Sequence, residues 1–322
     1  MDLLKKISRN NLSFFFDKNL SPIIEVEPGE TFIVETEDNV CGRISSPTDL
    51  PTKENLRELL EPTPILGNPV NGPIYIKGAK KGDVLEIEII DIIPNEQGWT
   101  GFVAEEKCFN PLRDSFKWRE CHGPYVAIIK HIKGLSGTTS DGKAVIDSKV
   151  LWDLKPFIGT IAVAPETEIM STVTGQGPWG GNIDCREVCK GNKIYLPVFN
   201  DGALLFLGDV HASQADSEFM GIADECRATV FLKCNVIKNK CIPYLRIVTP
   251  NSLIQINNGK PLDSSITQAI MWMMDWLVEE YSMDRKEVCI HMSINPEVKL
   301  HVYQMVGNLA TVGIEFPRIF LK

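Results

Sequence analysis

The amino-acid sequence predicts a mainly β fold, a β-sandwich of the jelly-roll kind with a smaller α+β part at the C-terminal end. Its 20 prolines and 24 glycines are spread along all 322 residues, which indicates many turns. Short strand-like runs separated by turn residues follow one another from residue 20 to about residue 245. The clearest helical periodicity comes only after them. We therefore predict a sandwich-like part, residues 1–245, which carries the functional site, and an α+β part, residues 246–322, which packs on it.

The strand prediction is best supported at residues 84–90. Leu85, Ile87 and Ile89 fall on one face of an extended chain and two glutamates fall on the other, which is typical of a half-buried strand. Six further runs have a strand-like composition between turn residues: 31–35, 125–129, 158–164, 193–199, 203–207 and 228–236.

Helices are predicted at three places. After Ser264, apolar side chains recur at the i, i+3, i+4 spacing of a helix that buries one face, and we interpret them as core. Asp284 with Glu287 resembles a capping box that begins a second helix. Residues 52–61, ended by Pro62, are predicted to form a third. The apolar stripe comprises Ile266, Ala269, Ile270, Met273, Met274, Leu277 and Val278, together with Met271.

Composition excludes several classes of protein. With 33 Lys and Arg against 42 Asp and Glu, the formal net charge is −9. A nucleic-acid partner is not expected, because phosphate binding needs a surplus of basic residues. No apolar run approaches the eighteen or so residues of a membrane helix, so no membrane partner is expected.

Other features concern compartment and assembly. The N-terminal residues lack the apolar stretch of a secretory signal, which predicts a cytoplasmic protein. The nine cysteines form no Cys-x-x-Cys pair, which predicts reduced thiols. An acidic protein of this size is expected to form a homodimer or a higher homo-oligomer.

Residues 175–180, Gly-Gln-Gly-Pro-Trp-Gly, match the dinucleotide fingerprint Gly-x-Gly-x-x-Gly. That fingerprint needs a preceding strand and a helix that opens at the motif, and residues 181–184 show no helical pattern. We therefore predict a Gly-rich loop that makes room for a site. No Gly-x-Ser-x-Gly nucleophile elbow is present. A nitrilase-like Cys–Glu–Lys set stays open, although no pattern selects Cys185.

The residues best placed for chemistry follow a short apolar run. At the two-residue period of a strand, Asp209 and His211 project to the same side. Glu218 lies seven residues further on and Glu225 seven beyond that, while Asp184 in the predicted loop could join them. Two interpretations stay open: a metal site, or an Asp–His hydrogen bond with glutamates at the surface. A catalytic zinc ion takes about three N, O or S ligands and lowers the pKa of water to about 7, while a free carboxylate moves protons.

Several separated motifs resemble the acetamidase/formamidase family in their order and spacing, from about residue 20 to the C-terminal end. The Gly-Gly-Asn-Ile-Asp stretch looks like the family's Gly-Gly-Asn-x-Asp loop, and Glu218 and Glu225 fall where the family places glutamates. The other matching segments are Gly-Pro-Ile-Tyr-Ile-Lys-Gly-Ala (72–79), Gly-Asp-Val-Leu (82–85), Leu-Pro-Val-Phe (196–199), Gly-Ala-Leu (202–204) and Gly-Asp-Val-His-Ala (208–212).

The resemblance implies a metal-dependent amidohydrolase that cleaves small non-peptide amides, of the formamide or acetamide type, to a carboxylate and ammonia with a metal-activated water. It implies zinc, with calcium as a second ion, since a site of several carboxylates suits both. Its implied metal ligands are Asp184, Asp209, His211 and Glu225. Its implied catalytic groups are Glu218, the general base, and Asn182; the implied pocket residues are Asp38, Asn68, Gly181 and Trp179, the last either a pocket wall or a buried aromatic.

The sequence departs from the family pattern at residues 214–218, where Gln-Ala-Asp-Ser-Glu replaces Gln-Gly-Asp-Gly-Glu. Two lost glycines are expected to alter the turn before Glu218, because glycine alone adopts positive φ without strain. We expect an effect on substrate range rather than on the fold. Two other functions stay open: a non-catalytic sandwich that binds a metal or small ligand, and a lactam hydrolase that uses the same site.

Overall fold

The computed structural model describes residues 4–103 and 120–321, and strands dominate it. The helices are α1 (Arg57–Leu60), α2 (Leu262–Tyr281) and α3 (Arg285–Ile294), and single 3₁₀ turns lie at Thr139–Asp141, Asp216–Glu218 and Arg318–Phe320. The strands are β1 (Lys5–Ile7), β2 (Leu12–Ser13), β3 (Phe15–Phe16), β4 (Ile24–Val26), β5 (Thr31–Thr36), β6 (Val70–Ile76), β7 (Val84–Pro94), β8 (Gln97–Phe102), β9 (Tyr125–Ile132), β10 (Lys143–Ile146), β11 (Lys149–Asp153), β12 (Phe157–Val163), β13 (Met170–Ser171), β14 (Gln176–Gly177), β15 (Gly180–Asn182), β16 (Lys193–Pro197), β17 (Leu205–His211), β18 (Glu225–Cys226), β19 (Ala228–Ile237), β20 (Arg246–Val248), β21 (Ser252–Gly259), β22 (Lys299–Gln304) and β23 (Ala310–Pro317).

Two large sheets contain nearly all of these strands. The first has nine strands in the order β1-β5-β19-β7-β16-β20-β21-β23-β22. The second has twelve: β11-β10-β9-β8-β18-β17-β12-β15-β14, with β6 paired to β17, β2 and β4. Strands β3 and β13 form a small separate pair. Nearly all pairings are antiparallel, as expected when one face of each sheet is buried and short turns join neighbouring strands.

The core lies between the two sheets. Phe32 and Ile87 of the nine-stranded sheet belong to the same buried cluster as Ile74, Ile161 and Leu205 of the twelve-stranded sheet. Alternation along β7 buries every second side chain, as its sequence predicts. The predicted mainly β, sandwich-like class is thus confirmed: apolar faces of two sheets exclude water from each other.

The C-terminal helices pack on one end of the nine-stranded sheet. Helix α2 buries Ala269, Met273 and Leu277 in a second apolar cluster with β21 and β23. Met271, however, is 52% exposed, so its interpretation as core was wrong: it lies off the buried stripe. The Asp284 carboxylate caps α3 by accepting hydrogen bonds from two backbone N–H groups of the first turn.

Two local predictions were wrong. The helix predicted over residues 52–61 is limited to the four residues of α1, because the preceding residues fold as turns. The Gly-rich stretch is not a loop: β15 lies between β12 and β14, and its glycines allow backbones to approach closely. A Cβ at Gly181 would lie 2.1 Å from the carbonyl oxygen of Gly175, so only glycine fits there.

Strands β20–β23, beyond the predicted boundary at residue 245, continue the nine-stranded sheet. The division into residues 1–245 and 246–322 stays a prediction. Among residues 4–103 and 120–321, no helix combines the length and apolarity that a bilayer crossing requires. The eight cysteines in that part of the chain are free thiols.

Candidate functional site

A cavity of about 630 Å³ opens at one end of the sandwich, and the polar side chains predicted from the sequence meet in it. Four acidic groups, one imidazole and one carboxamide are among its lining residues, and all six are at most 9% exposed. They are Asn182, Asp184, Asp209, His211, Glu218 and Glu225. So dense a set of buried ionisable groups is costly for folding, which is typical of functional sites.

The twelve-stranded sheet positions most of these side chains. Asp209 and His211 end β17, and Glu225 lies directly opposite His211 on the antiparallel neighbour β18. Asp184 follows β15. On the other side of β17, the absence of a side chain at Gly159 leaves room, because a Cβ there would lie 3.0 Å from the Asp184 carboxylate and from the His211 ring.

Several site residues adopt left-handed backbone conformations. The φ angles are 47° at Asp184, 52° at Asp209, 71° at Ser217 and 41° at Glu218. For residues other than glycine this conformation costs about 1–2 kcal/mol each, and such strain clusters at functional sites. Ser217 thus keeps the conformation for which the family pattern has glycine. The turn that presents Glu218 is formed without glycine, at a cost in backbone energy.

His211 is the centre of the cluster. Its Nε2 lies 3.6 Å from Asp209 Oδ1 and 3.5 Å from Glu225 Oε2. Neither of these two buried carboxylate oxygens has a hydrogen-bond partner. His211 also belongs to two groups whose potential ligand atoms all lie within 4.8 Å of one another, one with Asp184 and Asp209 and the other with Glu218 and Glu225.

Gln214 determines which nitrogen of His211 faces the carboxylates. The Gln214 Nε2 group donates hydrogen bonds to the carbonyl oxygens of Asp184, at 3.2 Å, and Tyr303, at 3.0 Å. Gln214 Oε1 is therefore the atom that accepts from His211 Nδ1, at 2.9 Å. Because Nδ1 carries a hydrogen, Nε2 is the ring nitrogen that is directed toward Asp209 and Glu225, and this is the arrangement of a metal-binding histidine.

The residues present fit a divalent cation. The Nε2 atom of His211 and two unpartnered carboxylate oxygens face one another inside the protein, and a positive charge between them satisfies all three. Their separations of 3.5 and 3.6 Å are too long for hydrogen bonds. Two ligands that each lie about 2.1 Å from one tetrahedral ion are roughly 3.4 Å apart, which matches these separations.

Burial and mutual repulsion alter the proton affinities of the cluster. Burial raises the pKa of Asp184 to about 7. Burial, followed by the charge of Asp184, raises the pKa of Glu218 well above its usual range, and burial does the same for Glu225. Burial alone would lower the pKa of His211, but Glu225 and Asp209 outweigh it and raise that pKa. The cluster therefore attracts positive charge, whether as protons or as a cation.

Polar neighbours hold Asp209 in place. Asn68, one of the predicted pocket residues, donates a hydrogen bond from Nδ2 to Asp209 Oδ2 at 2.7 Å. Thr160 Oγ1 lies 3.0 Å from the same oxygen and 3.0 Å from Asn182 Oδ1. Asn182 in turn donates from Nδ2 to the carbonyl oxygen of Val173. The structure thus joins Asn68 and Asn182 to the cluster through Asp209 and Thr160.

Three of the predicted pocket residues lie elsewhere. Trp179 is buried against the ring of Phe16 and donates from Nε1 to Glu168, which makes it a core aromatic. Gly181 packs between strands, as described above. Asp38 accepts hydrogen bonds from two backbone N–H groups and lines a neighbouring cavity of about 330 Å³, which meets the cluster only at Glu225.

Several residues that complete the site could not be found from the sequence. Thr160 contacts Asn182 and Asp209, which are distant from it in sequence, so no local pattern marks it. Gln214 was noted only as part of the segment 214–218. Residues from the C-terminal end also contribute: Val306, Gly307 and Asn308 line the cavity. The backbone N–H of Met305 donates to the carbonyl oxygen of Ser217, which ties the Glu218 turn to the end of β22.

A second buried pair, His131 and Asp224, supports the strand that carries Glu225. His131 Nε2 lies 3.1 and 3.2 Å from the two Asp224 oxygens, and Nδ1 donates to the carbonyl oxygen of Asn95 at 2.6 Å. Burial raises the pKa of Asp224. Burial alone would lower the pKa of His131, but the hydrogen bond and the charge of Asp224 have the larger effect and raise it. Sequence reasoning missed this pair because its members are 93 positions apart.

Replacing His131 by leucine is expected to lower the free energy of unfolding by about 3–5 kcal/mol, because Asp224 would remain buried without its partner. Urea denaturation of the purified variant measures this change. The double variant with Asp224→Asn is expected to be less destabilised than His131→Leu alone, since no buried charge is left. A loss below about 1 kcal/mol in the single variant would contradict the ion-pair assignment.

Fold and site together define a β-sandwich protein with a buried histidine and carboxylate centre, suited to a divalent cation, at the base of a cavity that admits a small molecule. The chain belongs to the acetamidase/formamidase family: the model of that family matches residues 2–177 and 169–306. The resemblance found in the sequence is thereby confirmed.

Individual relatives agree with this assignment. The chain is 26% identical to an acetamidase of Mycolicibacterium smegmatis over 288 residues, 74% of this chain and 68% of the relative. It is 26% identical to a formamidase of Methylophilus methylotrophus over 269 residues, 70% of this chain and 64% of the relative. The chain spans about two thirds of the length of the curated relatives that it matches. The crystal structure of an acetamidase from Bacillus halodurans superposes with a TM-score of 0.80 at 31% identity, covering 98% of each chain.

Proposed function

We propose that the protein is a metal-dependent amidohydrolase that cleaves the C–N bond of small non-peptide amides to a carboxylate and ammonia. One observation carries this proposal: two unpartnered carboxylate oxygens face His211 Nε2 at the base of an open cavity. Membership of a family whose curated relatives include an acetamidase and a formamidase supports the reaction class. The named substrates of those relatives, acetamide and formamide, are proposed for this chain.

Asp184, Asp209, His211 and Glu225 would hold the metal. Their oxygen and nitrogen donors suit zinc, and the surplus of carboxylates suits calcium as a second ion. A divalent cation bound there supplies Lewis-acid chemistry: it polarises the amide carbonyl and acidifies water. Gln214 orients the imidazole through Nδ1, and Asn68 and Thr160 orient the Asp209 carboxylate through Oδ2.

Glu218 is the proposed general base. Its carboxyl group lines the cavity, and burial, followed by the charge of Asp184, raises its pKa, which suits a group that accepts and then releases a proton. In the proposed reaction a carboxylate oxygen of Glu218 takes a proton from the attacking water and delivers it to the amide nitrogen. The water oxygen bonds to the carbonyl carbon and the C–N bond breaks. The carboxylic acid and ammonia that form then exchange a proton to give the carboxylate and ammonium.

The other functions left open by the sequence make different predictions. In a non-catalytic binding protein the cation would have a closed shell of protein ligands, whereas an enzyme keeps a position that exchanges water or substrate. A lactam hydrolase would use the same centre and differ in its best substrate. The cytoplasmic location and the homo-oligomeric state also remain proposals.

Ammonia release tests the proposed reaction directly. The protein is assayed as purified, after chelation, and after chelation and resupply of zinc or of zinc with calcium, each with formamide, acetamide and a small lactam. We expect activity on a linear amide that falls by at least tenfold on chelation and returns with zinc. Folded, metal-loaded protein that releases no ammonia would refute the amidase, and full activity after complete metal removal would refute metal dependence.

A further inference from the structure

The polar centre forms only part of the lining of its cavity. The wall beside it is formed by residues 56–66, the segment that contains α1. Leu56 and Leu59 of this wall are 2% and 4% exposed, and Ile65 and Leu66 are partly buried. These four apolar side chains line the same cavity as the carboxylates.

The packing of this wall differs from that of the core. None of Leu56, Leu59, Ile65 and Leu66 belongs to the three hydrophobic clusters formed by the described residues. Val173 and Val306, which also line the cavity, are likewise outside those clusters. Leu60 of the same segment packs against the cluster that contains Ile44 and Trp99. Ile65 and Leu66, which are only partly buried, are therefore the wall residues most available to contact a ligand.

The volume of the cavity exceeds the need of the smallest amides. With roughly 30 Å³ for each heavy atom, as for a water molecule in the liquid, acetamide fills about 120 Å³. The cavity of about 630 Å³ is about five times as large. With acetamide bound beside the carboxylates, the apolar wall would remain in contact with water. The wall would then contribute no hydrophobic binding energy.

The charged side chains that line the cavity favour a substrate whose acyl chain is uncharged. Four acidic side chains surround the reacting end and would repel a substrate that carries a carboxylate nearby. Lys53, Glu61 and Lys260 also line the cavity, but they are exposed and of both signs. An uncharged apolar chain is the group that matches the wall of residues 56–66.

We propose that the preferred substrates are primary amides with an extended apolar acyl chain of about four to eight carbon atoms, and that Ile65 and Leu66 determine this specificity. The inference rests on the proposed amidase function and adds the substrate class. The amide group lies at the carboxylate end, and the acyl chain lies along the wall. The backbone N–H of Leu66 donates to the carbonyl oxygen of Leu59, which fixes the wall in place.

A series of linear amides tests this specificity. The value of kcat/KM is measured by ammonia release from formamide, acetamide, butyramide and hexanamide with the zinc-loaded protein. Each methylene that becomes buried is expected to raise kcat/KM by up to about fourfold, so hexanamide is expected to exceed acetamide by about 10- to 200-fold. A flat or falling series with measurable acetamide hydrolysis would overturn this inference and leave the amidase intact. No ammonia from any of the four amides would instead refute the proposed function.

Two variants of the wall identify the residues responsible. Ile65→Thr and Leu66→Ala are each expected to lower the ratio of kcat/KM for hexanamide to that for acetamide by about five- to tenfold. The matched control Ile319→Thr changes an 85% exposed isoleucine far along the chain and is expected to leave the ratio unchanged. Circular dichroism and the melting temperature confirm that each variant is folded. Unaltered ratios in both folded wall variants would remove Ile65 and Leu66 from the specificity assignment.

Discussion

Replacement of Glu218 by glutamine is expected to lower kcat for the best amide by about 10²- to 10⁴-fold while the metal stays bound. Glutamine has nearly the same shape as glutamate but its side chain cannot accept the proton of water and pass it on. Because Asp209, His211, Asp184 and Glu225 keep their donor atoms, zinc content is expected to remain close to that of the unaltered protein. Steady-state ammonia release and metal analysis of the same preparation measure the two quantities.

The matched control for this experiment is Glu297→Gln, which makes the same chemical change at an exposed position. It is expected to leave both kcat and zinc content within twofold of the original values. A Glu218→Gln protein that binds metal and keeps the full rate would show that another group moves the proton. Asp184, which lines the same cavity and has a pKa raised to about 7 by burial, would then be the next candidate.

Part of this centre could be predicted because two of its residues, Asp209 and His211, lie on the same strand. The two-residue period places Asp209 and His211 on the same side of β17, and the structure brings Asp209 Oδ1 within 3.6 Å of His211 Nε2. The resemblance to a family added Asp184, Glu218 and Glu225, which spacing alone left open as surface carboxylates. Sheet pairing then explains why they meet: β18 places Glu225 opposite His211.

Other features depend on contacts between distant parts of the chain, which no local pattern records. The pairing of His131 with Asp224 and the contribution of residues 306–308 to the cavity arise only when the sheets form. Trp179 illustrates the opposite difficulty. It lies within the Gly-rich motif, in the turn between β14 and β15, yet its ring packs in the core against Phe16 and its Nε1 donates to Glu168.

The Gly-rich stretch and the start of the wall show how local composition misleads. Glycines at positions 175–181 predict a loop, but they allow strands β14, β15 and β12 to approach closely: a Cβ at Gly175, Gly180 or Gly181 would collide with a backbone oxygen. Residues 52–61 have a composition suited to a helix, yet only α1 forms. The apolar residues of that segment instead face the cavity.

Because the buried carboxylates of the centre repel one another, removing one of them is expected to stabilise the protein without metal and to make it the less stable protein with metal. Asp209→Asn is expected to raise the free energy of unfolding of the metal-free protein by about 1–3 kcal/mol. The substitution removes one buried negative charge, and that charge is among the causes that raise the pKa values of Asp184, Glu218 and Glu225. The remaining amide oxygen still accepts from Asn68, and asparagine tolerates the φ of 52°.

With zinc bound, the unaltered protein is expected to be more stable than the Asp209→Asn variant, the reverse of the order without metal. Zinc present at about 1,000 times its dissociation constant stabilises the folded state by about 4.1 kcal/mol. The full gain belongs to the protein with all its metal ligands, and it exceeds the stabilisation expected from the substitution. Urea denaturation with chelator and with zinc measures all four free energies, with Asp201→Asn, an exposed aspartate paired with Lys80, as the control expected to follow the unaltered protein. An Asp209→Asn protein that is less stable than the original with chelator, or that gains as much from zinc, would contradict the assignment of Asp209 as a strained metal ligand. The reversal, if observed, means that the centre is maintained against its own folding cost because it binds a cation.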